Sequence, residues 1–147
     1  SVAAAQITAG HVNANWRLRV IGGSRTLSLS RAELLAMPQH TYDLTIACVE
    51  GWSTTQRWTG VRLADLGRLV DAPAGALLLV QSFQTHGPFR QATLGHAQVS
   101  DDRTLLALGV NGVELSLDHG YPARVIVPAL PGVHNTKWVG HLTFMSA

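Results

Sequence analysis

Apolar and polar positions alternate with two different periods along this chain. Trp16-Arg17-Leu18-Arg19-Val20 is apolar at every second residue, the spacing of a half-buried strand, and Gly22-Gly23 closes it as a turn. Ser30-Arg31-Ala32-Glu33 has the form of a capping box, which predicts a short helix through Leu34, Leu35 and Met37, ended by Pro38. Tyr42 to Glu50 reads as a strand with Tyr42, Leu44, Ile46 and Cys48 on one face and Thr45, Ala47 and Val49 on the other. Cys48 then falls near the strand's end, just before Gly51. Val61 to Val70 reads as a helix with Leu63, Leu66 and Val70 on one face, followed by Pro73. Ala76 to Phe83 is apolar enough for a strand buried on both faces, and Gln91 to Gln98 reads as a short helix. Asn111-Gly112 is a hairpin signal between Leu105–Val110 and Val113–Leu117. Arg124 to Val127 is a further strand, broken at Pro128. Trp138 to Met145 alternates again, with Trp138, Leu142 and Phe144 opposite His141 and Thr143.

Strands therefore dominate, with a few short helices between them, and no linker, repeat or low-complexity segment divides the chain. The pattern predicts one α+β domain of mixed sheets over residues 1–147. Regular β-α alternation is missing, as are glycine-rich dinucleotide and Walker loops. Hydrophobic residues make up 46% and charged residues 14%, which supplies a core and argues against disorder. No apolar run reaches the ~20 residues of a spanning helix. The opening SVAAAQITAG has neither the basic nor the apolar region of a secretory signal. A net charge of +2 with scattered arginines argues against a nucleic-acid partner.

Two residue types occur once each, and both fall in segments suited to chemistry. Cys48, the only cysteine, excludes an intrachain disulfide and a Cys-rich zinc site. It stands beside Gly51, which lets a bulky ligand approach, with Trp52 and Trp58 to wall a site and Glu50 to bond loop backbone. A thiolate is a soft metal ligand and is favoured by cations nearby; a buried core cysteine, or a nucleophile with a histidine base, is the competing reading. Lys137, the only lysine, closes a second segment that begins at Asp118-His119-Gly120-Tyr121-Pro122-Ala123-Arg124. His119, Arg124 and Lys137 are cations set among turn residues, and the backbone from Gly132 to Thr136 is suited to an anion-binding nest. The product would be a phosphate pocket; surface cations around a Pro/Gly loop are the plainer account.

The order Cys48-Val49-Glu50-Gly51-Trp52-Ser53, Trp58-Thr59-Gly60-Val61-x-Leu63, Leu105-Leu106-Ala107 with Asn111-Gly112, Asp118 to Pro128, and Lys137-Trp138-Val139 resembles the molybdopterin-binding domain of sulfite oxidases. Bacterial methionine-sulfoxide reductase catalytic subunits and plant nitrate reductases share that domain, and the likeness runs from Trp16 to Phe144. The resemblance implies a molybdenum–molybdopterin cofactor, with Cys48 as the metal's thiolate ligand and the catalytic centre. It further implies cofactor contacts by Ser82 (with Thr85 as its rival), His119, Arg124, Asn135, Thr136 and Lys137. The implied activity is oxygen-atom transfer on a small sulfur- or nitrogen-containing substrate, with electrons exchanged through a haem or membrane partner. The family's upstream cofactor segment has no match in Ser1–His11, and its downstream catalytic tyrosine and C-terminal dimerisation domain have none before Ala147. The expectation is therefore a fragment of a longer chain or a minimal member, not a sulfite oxidase proper, extracytoplasmic or membrane-attached in a bacterium. Retention of cofactor by such a fragment is open. A non-catalytic anion- or partner-binding module on the same fold is the alternative.

Overall fold

The computed structural model describes residues 15–47, 53–84, 90–128 and 135–147. In chain order its elements are β1 (Arg17–Ile21), β2 (Thr26–Ser30), α1 (Arg31–Ala36), β3 (His40–Ala47), β4 (Ser53–Arg62), α2 (Leu63–Leu69), β5 (Leu77–Ser82), β6 (Gln91–Leu94), α3 (His96–Ser100), β7 (Leu105–Val110), β8 (Val113–Glu114), β9 (Arg124–Ile126) and β10 (Val139–Met145). They form two five-stranded sheets. One runs β2-β1-β10-β5-β6; the other runs β3-β4-β7-β8, with β9 also paired to β7. The β1–β10 pair is parallel, and the neighbouring pairs are antiparallel. The architecture is the expected α+β arrangement of mixed sheets with short helices.

The main core lies between the sheets. Leu18 and Val20 of β1, Leu78 and Val80 of β5 and Leu142 and Phe144 of β10 meet Leu106 and Leu108 of β7, Val125 of β9, and Leu63 and Leu66 of α2. Each such leucine contributes about 1.5–3 kcal/mol through burial. A second cluster covers the other face of the second sheet: Leu44, Ile46, Trp58, Leu105, Ala107, Val110, Leu115 and Ile126. Strand β7 thus sends alternate side chains into two cores. The same division applies to β9, where Val125 joins the first cluster and Ile126 the second.

Local chemistry set several boundaries as read. Ser30 Oγ accepts from Glu33 N at 3.1 Å, and Glu33 Oε1 accepts from Ser30 N at 3.0 Å, so the capping box is complete. Asn111 and Gly112 both have positive φ, 53° and 82°, as the tight turn between β7 and β8 requires. Other expectations need correction. Gln91–Gln98 is not one helix: Gln91–Leu94 pairs with β5, and α3 starts only after Gly95. The helix expected from Val61 starts at Leu63, because Val61 and Arg62 remain in the ladder with Leu106 and Leu105. Strand β8 stops at Glu114, since Leu115 turns into the second core. In β5 Leu78 and Val80 are buried while Leu77 and Leu79 are half-buried, so the doubly buried strand is β7 instead. Strands β2 and β4 were not anticipated. Both are rich in Thr and Ser; β4 is held to β3 partly by Thr41–Thr59 and Thr45–Thr55 hydroxyl pairs at 2.8 and 2.6 Å.

Gly60 sits where β4 shifts register against β7. A Cβ there would stand 2.0 Å from the Leu106 carbonyl oxygen and 2.7 Å from Ala107 Cα, both backbone atoms in a ladder. Gly60→Ala is expected to lower unfolding free energy by about 3 kcal/mol, read as a lower denaturant midpoint. An unchanged midpoint would show that the β4–β7 ladder yields easily.

Candidate functional site

Strand β9 starts the site. Its three residues are buried and its backbone is paired with β7, so Arg124 opposite Ala107 has no freedom to swing outward. Arg124 is 7% exposed, and its guanidinium lies 5.2 Å from the centroid of the Trp58 ring, which is itself 1% exposed. Nη1 donates to the His119 carbonyl at 3.3 Å and Nη2 to the Asn135 carbonyl at 3.1 Å. Nε is buried without a hydrogen-bond partner. Among the described residues no ion pair includes Arg124. Burial alone pulls its pKa down to about 10, about 3 kcal/mol against the charged form.

Gly120 joins Arg124 to Lys137. Its φ is +110°, and a Cβ there would be 3.0 Å from Arg124 Cβ and 3.2 Å from both Lys137 Cβ and Cγ. The two cations therefore branch from the backbone on one side of a glycine that has to stay bare. Lys137 is half-buried, with Nζ 5.6 Å from the centroid of the Trp138 ring. Burial, then the nearby Arg124, hold its pKa below the usual lysine range, with Asp118 acting in the opposite direction. Trp138 fixes the backbone here. Its φ is +53°, which is costly for a bulky residue. Three bonds hold it: Nε1 to the Leu117 carbonyl at 2.7 Å, N to the Gly120 carbonyl at 3.3 Å, and its own carbonyl from Phe83 N at 2.9 Å.

The sequence-derived candidates divide into three groups. His119, Arg124, Asn135, Thr136 and Lys137 come together around Gly120. Within that group His119 is exposed, and its Nδ1 and N both lie against Ser116 Oγ, at 2.9 and 3.1 Å. The carbonyls of Asn135 and Thr136 are engaged by Arg124 and Val125 N, and Asn135 Oδ1 accepts from Val127 N at 2.5 Å. These two residues thus clamp β9 with their carbonyls and the Asn135 side-chain amide, while most of the Gly132–Thr136 backbone expected to turn N–H groups toward an anion lies outside the described residues; Thr136 Oγ1 stays buried without a partner. Ser82 is adjacent, opposite Val139 at the mouth of β10, with Oγ accepting from Gln84 N at 3.0 Å. Cys48 follows Ala47, the last residue of β3, and lies outside the described residues. So do Glu50, Gly51, Trp52, Thr85 and Gly132. Trp58, expected as a wall, provides the face beneath Arg124. Ser116 was not singled out, and Gly120 and Trp138 were read only as a turn residue and as part of a strand and motif; a His three residues after a Ser and a Gly between two cations were the available signals.

The family described as oxidoreductase molybdopterin binding domain matches residues 5–147. The chain belongs to this family. Mouse mitochondrial sulfite oxidase is 33% identical, over 89% of this chain and 29% of its own length. The human protein of the same name is 31% identical, over 87% of this chain and 29% of its own. The uncharacterized oxidoreductase YuiH of Bacillus subtilis is 30% identical, over 88% of this chain and 65% of its own. The sulfane dehydrogenase SoxCD of Paracoccus pantotrophus has the same fold, with a TM-score of 0.84 over 96% of this chain and 40% of that one, at 24% identity. The chain thus spans under a third of the length of these two sulfite oxidases.

The residues around Gly120 are compatible with the anionic, acceptor-rich group for which this molybdopterin-binding family is described. Arg124 Nε and Thr136 Oγ1 are buried atoms lacking partners, in a setting where an unmade bond costs about 1–3 kcal/mol. An anion bound here favours the protonated lysine, whose pKa is lowered in the free chain. Above the lowered pKa, binding must take up a proton, so affinity declines as pH rises through it. Sulfate, a dianion throughout, is expected by calorimetry to bind less tightly as pH rises through the span in which Lys137 loses its proton, below that of an ordinary lysine. Constant affinity over that span would remove Lys137 from the anion site.

Proposed function

We propose that this domain holds a molybdenum–molybdopterin cofactor and serves oxygen-atom transfer on a small sulfur- or nitrogen-containing substrate. The observation that carries the reading is Arg124: a buried guanidinium with no carboxylate partner among the described residues, paired around Gly120 with a second cation. Membership of the molybdopterin-binding family supports it. When bound, the cofactor would supply an oxo group for exchange and the redox change that accompanies it. The rest is the chain's work. Arg124 offers Nε to a phosphate or pterin oxygen, and Thr136 offers its hydroxyl. Lys137 adds a point charge, against which Trp138 sets an aromatic face. His119 presents an imidazole oriented by Ser116, and Ser82 borders the entrance. Cys48 would be the thiolate ligand. Electrons would pass to a haem-bearing or membrane partner.

The low-dielectric setting that makes Arg124 costly in the free chain is the one that strengthens its attraction for an anion. The site is thus built to be occupied. A module that binds anions without metal would share this basic pocket, and Cys48 separates the two readings.

Expression in cells that make molybdopterin should give protein carrying molybdenum and the fluorescent pterin oxidation product. Cys48→Ser is expected to lower bound molybdenum and abolish oxygen-atom transfer while pterin is largely retained. Arg124→Gln is expected to lower the pterin itself by roughly tenfold or more. Protein free of both metal and pterin, in the full-length chain, would overturn the proposal.

A further inference from the structure

Lys137 is the chain's only lysine, and it stands half-buried within one glycine of a buried arginine. We propose that Lys137 is a modification site: in the cofactor-free chain its ε-amine is acylated by small acyl phosphates, whose phosphoryl group is received on the Arg124 side of the same pocket. The inference rests on the anion-binding part of the function proposed above and adds a reaction to it.

Three observations carry it. First, the stems of Arg124 and Lys137 both pack on the bare face of Gly120, where an added Cβ would stand 3.0 and 3.2 Å from their Cβ atoms, so the two cations set out from neighbouring points and the charge of Arg124 is felt at Lys137. Second, Arg124 keeps a buried N–H without a partner, a donor suited to a phosphoryl oxygen. Third, the lysine is neither enclosed nor fully exposed, and the Trp138 ring limits the directions its amine can take. Acylation needs the neutral amine. Burial and the adjacent Arg124 both act toward that form, and Asp118 acts against it.

The step balances without a redox partner. The amine lone pair attacks the acyl carbon and an N–C bond forms. The C–O bond to phosphate breaks, phosphate leaves with that electron pair, and the nitrogen gives up a proton to solvent. The amide product is uncharged, so the pocket loses one of its cations. Acylation and cofactor loading then exclude one another. Arginine at this position would hold an anion equally well and resist acylation; lysine leaves the pocket open to control by acyl-phosphate supply.

The test compares two acetyl donors on purified cofactor-free chain: acetyl phosphate and the uncharged N-hydroxysuccinimide ester of acetate. Intact mass and Glu-C peptide mapping follow Lys137, with free Nα-acetyl-lysine methylamide as reference. The ratio of the two rates at Lys137 is expected to exceed that of the reference by roughly tenfold or more. The excess should fall on adding inorganic phosphate, and in Arg124→Met. A ratio equal to the reference, or one indifferent to phosphate, overturns the proposal; both measurements use the unmutated chain and stand even if Arg124→Met does not fold. Calorimetry with phosphate tells the two failures apart. Phosphate binding without selective acylation sinks this inference alone, and absence of both sinks the anion site as well.

Discussion

The site is organised by a guanidinium held almost entirely out of water. Arg124 belongs to a strand whose alternation sends Ile126 into the second core and Val125 into the first, so its own side chain points along the apolar cluster and over Trp58. A planar cation with five donors suits that slot better than any other charged group, because it can stack and donate at once. Two carbonyls, from His119 and Asn135, accept from it. Those bonds draw the segments before and after β9 toward one place, and Gly120 and Lys137 come with them. The clustering of cations is thus a consequence of the core's geometry as much as of the residues that carry charge.

The charges elsewhere sharpen this picture. Arg17 pairs with Glu33, Arg31 with Glu114, Arg57 with Asp43, Arg68 with Asp65 and Arg103 with Asp101, mostly at exposed positions. Such pairs add little stability. Their effect is to neutralise five of the ten arginines locally, close to the backbone that bears them. Much of the chain's arginine content, which taken as composition invites a search for oxyanion sites all over the molecule, is accounted for in this way. Among the described residues Arg19, Arg25, Arg62, Arg90 and Arg124 form no such pair, and of these Arg124 alone is buried.

Sequence made the strands with clean alternation visible, and the reasons are local. Asn111-Gly112 announced its turn because both residues tolerate positive φ, and Ser30 with Glu33 announced a helix because four residues suffice to close a capping box. Strand β4 was hidden because Thr55, Arg57 and Thr59 make one face polar and its two large buried apolar residues, Trp58 and Val61, enter different cores; what makes it a strand is β3 on one side and β7 on the other. Gln91–Gln98 misled because Gly95 separates a strand from a helix within a few residues, and the pairing of Gln91–Leu94 with β5 is long-range. At the site, Arg124 and Lys137 were legible as cations among turn residues. The role of Gly120 was not, since it depends on the approach of a lysine from 17 positions later. Nor could sequence tell that Asn135 and Thr136 would turn their carbonyls onto β9. That outcome reflects the demand of a buried strand for partners.

Strand β10 has a place in the first sheet that bears on how the molecule is made. The last strand in sequence lies in the interior of that sheet, between β1 and β5, and it follows directly on Lys137 and Trp138. Until it is made, β1 has only β2 beside it among the described strands, and the packing on Gly120 has not been closed by the strand that follows Lys137. The sheet and the packing of the two cations are therefore completed together. A chain arrested before Val139 would have neither, so the interior of the sheet and the cluster of buried charge share one folding step.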